Sequence, residues 1–192
     1  MRIFINGFGR IGRSVLRALM SDPARWPGLE VAGINDIAAP EMCAYLYEYD
    51  SVFGPWRGSV ALEGGALMVD GVAMPLHRTA DLSTLDLAGV DVVLECTGRA
   101  EARDVAERGL RAGAARVLIS GPSRAADVTV VLGANDDALG GQAIVSNASC
   151  TTNALAPLVR LIHDRWGVVT GSMTTIHCYT GSQPTVDAPA AD

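Results

Sequence analysis

The chain of 192 residues holds little that would tie it to a metal, a membrane or a nucleic acid. Its four cysteines, Cys43, Cys96, Cys150 and Cys178, lie far apart and form no Cys-x-x-Cys pair. That spacing argues against a structural zinc site and against a disulfide scaffold, and no metal is expected. Reduced thiols in a cytoplasmic protein fit it better. Basic residues number 15 against 21 acidic ones, which speaks against electrostatic capture of nucleic acid or of an anionic membrane. Aromatics make up 5%, and Trp26, Trp56 and Trp166 form no stripe for base stacking, so they are expected to serve packing. No apolar run is long enough to cross a bilayer. No leader is expected, because Ile3-Phe4-Ile5 runs straight into a glycine motif. Repeats and low-complexity segments are also missing. What is present is a hydrophobic share of 49%, enough for one or two domains with a real core.

Short apolar runs alternate with helical patterns, which predicts an α/β fold with a doubly wound, largely parallel sheet. Strands are expected at Arg2–Asn6, Glu30–Ile34, Val90–Glu95, Arg116–Ser120, Val128–Leu132 and Ile144–Ser146. Ile11, Val15, Leu16 and Leu19 share one side of a first helix, and Glu101–Ala112 carries a second helical pattern. The segment from Ser59 to Leu76 breaks the alternation. Gly64-Gly65 and Asp70-Gly71 separate three short strands there, which predicts an inserted antiparallel meander.

Asn6-Gly7-Phe8-Gly9-Arg10-Ile11-Gly12 contains Gly-x-Gly-x-x-Gly between a strand and a helix. Gly7 permits the tight turn, Gly9 lets backbone approach a pyrophosphate, and Gly12 allows close helix packing. The phosphates would meet the helix N-terminus. Asp36 ends the second strand, where a carboxylate can bind both adenosine ribose hydroxyls and repel a 2′-phosphate. NAD is therefore expected over NADP.

Ser146-Asn147-Ala148-Ser149-Cys150-Thr151-Thr152-Asn153 places one cysteine between the apolar run Ala143-Ile144-Val145 and a helical pattern. In that pattern Leu155, Leu158, Val159, Ile162 and Trp166 share a face. A cysteine at a helix N-terminus has its thiolate favoured by backbone N–H groups and the helix dipole, and the thiolate is the nucleophilic form. Met173–Ile176 reads as a strand ending at His177, which could take the thiol proton and later act as an acid. Cys43 and Cys96 are expected to be small core residues, and His77 and His163 surface or packing residues.

These motifs together resemble the phosphorylating glyceraldehyde-3-phosphate dehydrogenase family. The matching pieces are residues 5–13 around the glycines, Ile34-Asn35-Asp36, Tyr49-Asp50-Ser51, Cys96-Thr97-Gly98, residues 146–153 and Thr174-Thr175-Ile176-His177. The resemblance implies an NAD-binding Rossmann domain over residues 1–149 and the beginning of an α+β catalytic domain over residues 150–192. It implies that Cys150 attacks the aldehyde of glyceraldehyde 3-phosphate to give a thiohemiacetal, with His177 taking up the proton. Hydride passes to NAD, and inorganic phosphate releases 1,3-bisphosphoglycerate from the acyl thioester. It further implies cofactor contacts from Arg10, Ile11, Arg78, Thr97 and Ser120. Ser149 and Thr151 would hold the attacking phosphate and Thr180 the substrate phosphate. The backbone N–H of Cys150 would serve as an oxyanion donor, and the assembled enzyme would be a cytoplasmic homotetramer.

The chain departs from the family pattern in places. Ala154 stands where a second cysteine is usual, which does not touch the chemistry. Ala188 replaces a leucine that helps NAD selectivity, although Asp36 and Pro189 keep the NAD-type pattern. Family members run on past the length of this chain and carry further substrate, phosphate and nicotinamide ligands there. A chain ending at Asp192 is therefore expected to bind cofactor weakly and turn over poorly. The alternatives are an erythrose-4-phosphate dehydrogenase, which Thr180 argues against, and a catalytically incomplete NAD-binding fragment, which Cys150 and His177 argue against. A semialdehyde dehydrogenase ranks lower, since its cysteine surroundings differ.

Overall fold

The computed structural model describes residues 1–178. The first strand, β1 (Arg2–Asn6), leads through the glycine turn into α1 (Arg10–Ser21). β2 (Glu30–Asn35), α2 (Pro40–Glu48) and a small antiparallel pair, β3 (Tyr49–Asp50) with β4 (Gly54–Pro55), follow. β5 (Val60–Glu63), β6 (Ala66–Val69) and β7 (Val72–His77) form the meander. Then come β8 (Val92–Glu95), the short helices α3 (Arg103–Ala106) and α4 (Arg108–Arg111), and β9 (Arg116–Ile119). β10 (Val128–Thr129), β11 (Ile144–Ser146) and α5 (Cys150–Trp166) complete the described elements.

Nine strands join one sheet in the order β10-β11-β9-β8-β1-β2-β7-β6-β5. The pairings from β10 through β7 are parallel, and only the two at the β7-β6-β5 edge are antiparallel. The meander is thus an extension of the parallel sheet: Ile34 and Asn35 of β2 pair with Leu76 and His77 of β7. The chain order reverses at β1, which has β2 on one side and β8 on the other. Loops leaving the carboxyl ends of β1 and β8 diverge there and open the crevice in which such folds bind ligands.

Alternation along β1 divides the core between the two faces of the sheet. Phe4 packs with Val93, Val117 and Ile144, whereas Ile5 packs with Leu16, Ile34 and Leu67. The buried side of α1 differs from the expected apolar stripe. Gly12, Arg13, Leu16 and Arg17 are buried, while Ile11 is 51% exposed. Arg17 can be buried because its guanidinium donates to the Tyr47 carbonyl at 2.5 Å and lies over the Tyr47 and Trp56 rings. Ile11 and Val15 turn instead towards the pocket at Cys150.

Other expectations need correction. The 101–112 helical pattern forms two short helices interrupted at Glu107, and within the second Gly109 packs so near the sheet that a Cβ would stand 2.9 Å from Val117. β10 stops at Thr129, where Asn135 takes the Val131 N–H and donates to the Thr129 carbonyl. α2 falls where no helix is expected. Met173–Ile176 is irregular and exposed, since no described strand runs beside it to complete a ladder. The apolar face of α5 is also open, with Leu158 at 54% and Trp166 at 77% exposure, so Trp166 packs against little.

Candidate cofactor cleft and cysteine site

The crevice at the β1/β8 switch point is a cleft of about 750 Å³ lined by Gly7, Phe8, Gly9, Asp36 and Thr97 among others. Each glycine has its own physical reason. Gly7 sits at φ +93°, and a Cβ there would come within 2.7 Å of the Cys96–Thr97 peptide. A Cβ at Gly12 would stand 2.2 Å from the Gly7 carbonyl oxygen. Gly9, the N-cap of α1, has nothing within 4 Å of its Cβ direction. That open space lies before a helix whose first turn carries no acidic residue and no side-chain cap. A pyrophosphate fits such a place, because the first-turn N–H groups and the helix dipole attract an anion.

Asp36 is held at this cleft by backbone N–H groups of the glycine turn and of its own turn. Its two carboxylate oxygens accept from Phe8 N–H at 2.6 Å and Ala38 N–H at 2.9 Å. Each oxygen keeps a free lone pair for a ribose hydroxyl. The residues present therefore fit a dinucleotide. Arg10 reaches across to Asp50 at 2.6 Å and lies over the Phe53 ring, so it tethers the 50–53 turn to the start of α1. Burial works to raise the Asp50 pKa, but hydrogen bonds from Arg10 and from the Phe53 and Val52 N–H groups outweigh it and hold it at about 2. Arg78 donates to the Ile37 carbonyl at 3.0 Å beside the Asp36 turn. Thr97 lines the cleft and gives both its N–H and its hydroxyl to Glu95.

A second pocket of about 440 Å³ adjoins the first and shares Cys96 with it. Ile11, Ser120 and Cys150 line it. β11, buried throughout, delivers the chain to Asn147, whose N–H bonds the Ile119 carbonyl. Ala148 then takes φ +59°, a left-handed conformation that is uncommon for alanine and clusters at functional sites. Ser149 caps α5 by accepting the Thr152 N–H at 3.0 Å. Asn153 donates to the Asn147 and Ser149 carbonyls and so braces the turn from inside the helix.

Cys150 is the first residue of this helix, and its Sγ lies 3.1 Å from His177 Nε2. The other ring nitrogen, Nδ1, donates to the Cys178 carbonyl at 2.5 Å, which leaves Nε2 facing the sulfur. Contact with His177, helped by hydrogen bonding from Thr151, draws the Cys150 pKa below its ordinary value of 9.0. The Cys178 carbonyl and then Cys150 raise that of His177. Both shifts favour the thiolate–imidazolium pair. Cys43 and Cys96 behave oppositely, since burial pushes each thiol up to about 12. The Cys96 thiol is held by Ser120 rather than poised for attack. Thr151 is half-buried beside Cys150, and Thr180 lies outside the described residues.

His77 packs its ring on Phe4, and His163 accepts the Val168 N–H at the end of α5. Among the described residues no group of three or more His, Cys, Asp or Glu could hold a metal ion, and no helix is long and apolar enough to cross a membrane. Sequence reasoning gave no role to Asn6, Asn35, Asp50 and Asn153, which stand inside motifs that it quoted, nor to Glu95, which directly precedes Cys96-Thr97-Gly98; membership of a motif, or adjacency to one, was the signal that could have found them.

Residues 1–103 match the glyceraldehyde 3-phosphate dehydrogenase NAD binding domain, and residues 149–192 match the C-terminal domain of the same family. The cytosolic glyceraldehyde-3-phosphate dehydrogenase of Trypanosoma brucei brucei is 44% identical over 99% of this chain and 57% of its own length. The enzyme of Geobacillus stearothermophilus is 41% identical over 100% of this chain and 57% of its own, and that of Xanthobacter flavus 46% over 100% and 58%. The chain thus spans a little over half the length of these relatives. With its NAD-binding domain matched over more than half of its residues, the chain belongs to the glyceraldehyde 3-phosphate dehydrogenase family.

Proposed function

We propose that the protein carries out the NAD-dependent phosphorylating oxidation of glyceraldehyde 3-phosphate to 1,3-bisphosphoglycerate. The observation that carries this reading is the 3.1 Å contact of Cys150 Sγ with His177 Nε2, beside a pocket that shares Cys96 with the dinucleotide cleft. The Cys150 thiolate attacks the aldehyde carbon to form a thiohemiacetal. His177 holds the proton at Nε2, its Nδ1–H fixed on the Cys178 carbonyl. The N–H groups at the start of α5 face the oxygen that gains charge, with the Cys150 N–H as oxyanion donor. NAD, bound through Gly7, Gly9, Arg10, Ile11, Gly12, Asp36, Arg78, Thr97 and Ser120, supplies the hydride acceptor. Cys150 then carries the acyl group as a thioester, and inorganic phosphate held by Ser149 and Thr151 displaces it. Thr180 takes the substrate phosphate. The division of the chain at 149/150 follows, with the cofactor half before Cys150 and the catalytic half from it onward. The same reading makes the protein a cytoplasmic enzyme assembled as a homotetramer. The location is supported by the name of one relative, given as cytosolic.

Iodoacetamide titration followed by peptide mass spectrometry tests the reading. Cys150 is expected to react first and stoichiometrically near neutral pH, with NAD altering the rate. A Cys150 that reacts no faster than Cys43 would remove the nucleophile. NADH formation with each aldehyde in the presence and absence of phosphate separates the triose substrate from erythrose 4-phosphate.

A further inference from the structure

Beneath the dinucleotide cleft, a chain of buried polar side chains crosses the carboxyl ends of four neighbouring strands. Asn35, at the end of β2, is pinned to the backbone just beyond β7. Its Oδ1 accepts the Thr79 N–H at 2.9 Å and its Nδ2 donates to the Thr79 carbonyl at 3.0 Å. The same Nδ2 donates to Asn6 Oδ1 at 2.8 Å. Asn6, at the end of β1, must then present its Nδ2 to β8, where it donates to Glu95 Oε2 at 2.5 Å. Glu95 Oε1 accepts both the N–H and the hydroxyl of Thr97. Asn6, Asn35 and Glu95 are 7%, 4% and 4% exposed, so the bonds among these three are buried, while those to Thr79 and Thr97 lie at the wall of the cleft.

The chain of bonds has one direction. Thr79 fixes which way the Asn35 amide points, Asn35 fixes Asn6, and Glu95 accepts from both sides. A carboxylate suits that last position because it needs no donor of its own. The consequence reaches the cleft directly. Glu95 holds the Thr97 N–H, and the Cys96–Thr97 peptide is the surface on which Gly7 rests at a distance that leaves no room for a Cβ. We propose that Glu95 is a positioning residue for cofactor binding: through Thr97 and Asn6 it locks the glycine turn against the 96–97 peptide and sets the geometry of both walls of the cleft. The inference rests on the reading of this cleft as the NAD site.

The polarity of the network supplies its test. In Glu95→Gln the side chain has one acceptor and one donor where two acceptors are needed. If the oxygen of the new amide serves Thr97, its N–H₂ faces the Asn6 N–H₂. Asn6 cannot flip without facing Asn35, and Asn35 cannot flip against Thr79. The single variant is expected to bind NAD about tenfold more weakly, the scale of a lost hydrogen bond to a charged group. Adding Asn6→Asp restores every bond, because a carboxylate at position 6 accepts both from the amide at position 95 and from Asn35. The double variant is expected to return to near the parent affinity. NAD binding is read by calorimetry and Cys150 alkylation by mass spectrometry, on the 192-residue chain. Alkylation without cofactor should be unchanged in both variants, which a general loss of structure would not allow.

A single variant that binds NAD as the parent does, or a double variant no better than the single, overturns the proposal. Should the single variant not fold, the double variant decides alone: folding and binding NAD supports the network, and failure to do either refutes it. A parent chain that binds no NAD would sink the reading of the cleft itself, a separate outcome.

Discussion

Gly9 and Gly12 belong to one motif, yet the structure gives them different jobs, and replacing each by alanine separates the two. At Gly12 a new Cβ would stand 2.2 Å from the Gly7 carbonyl oxygen and 3.1 Å from Ile5 Cγ2. Both neighbours are held, the first in backbone and the second in a core residue with 0% exposure. Helix α1 must move off the sheet, and overpacking of this kind costs about 1–3 kcal/mol. For a chain of this size that corresponds to a fall in melting temperature of roughly 2–12 °C. At Gly9 nothing lies within 4 Å, and the backbone at φ −70° and ψ −162° suits alanine. Glycine is preferred to alanine at an N-cap, while alanine lowers the entropy of the unfolded chain. These opposing effects are each about 1 kcal/mol or less, so little net change in stability is expected. The methyl group would instead occupy the space before the first turn of α1, and NAD affinity should fall by about tenfold or more, some 1.4 kcal/mol. Differential scanning calorimetry and NAD titration on Gly9→Ala, Gly12→Ala and Gly141→Ala read both quantities. Gly141 is exposed, outside the cleft and also free of neighbours within 4 Å, so its variant should change neither. A Gly9→Ala protein that binds NAD as the parent does would refute the placement of the pyrophosphate.

Removing the imidazole in His177→Asn should raise the pH at which Cys150 becomes reactive, because His177 is the largest influence holding its pKa below 9.0. The chain has no lysine, so alkylation rates across a pH series report on thiols with little interference from amines. An unchanged pH profile would show that the 3.1 Å contact does not govern the sulfur. Asp50 makes a stability prediction. Its folded pKa of about 2 lies below the ordinary 3.8, so its contribution is present above about pH 4 and is lost as pH falls towards 2. By linkage the contribution is about 2 kcal/mol. Denaturant melts should find Asp50→Asn less stable than the parent at pH 7, with the gap closing near pH 2. A gap independent of pH would contradict the assignment.

Much of this architecture was legible in the chain because the signals were local. Each buried parallel strand is a short apolar run, and the turns of the meander are written in Gly64-Gly65 and Asp70-Gly71. The motif glycines could be read with reasons attached, and the distances around Gly7 and Gly12 supply those reasons. What the sequence hid was set by tertiary contact. The buried side of α1 could not be read from hydrophobicity, because Arg17 is buried by the Tyr47 carbonyl and two aromatic rings that lie far along the chain. The 173–176 segment has the β-branched composition of a strand but no described neighbour to pair with, and a strand exists only as part of a ladder.

The site divides along the same line. Sequence context could single out Cys150 from four cysteines, since a helix start flanked by hydroxyl and amide residues is a local feature. Burial sets Cys43 and Cys96 apart from Cys150: Cys96 lines both pockets, the cofactor cleft included, and yet each of these thiols is pushed up to about 12. Proximity to the cleft therefore does not make a nucleophile here. Cys150 differs: it is exposed at the start of a helix, and the imidazole beside it, held by the Cys178 carbonyl, draws its pKa down. The same physics explains Glu95. A buried carboxylate next to Cys96 adds a small push to the burial that raises that thiol, so the residue proposed to position the cofactor walls also works against a thiolate at Cys96.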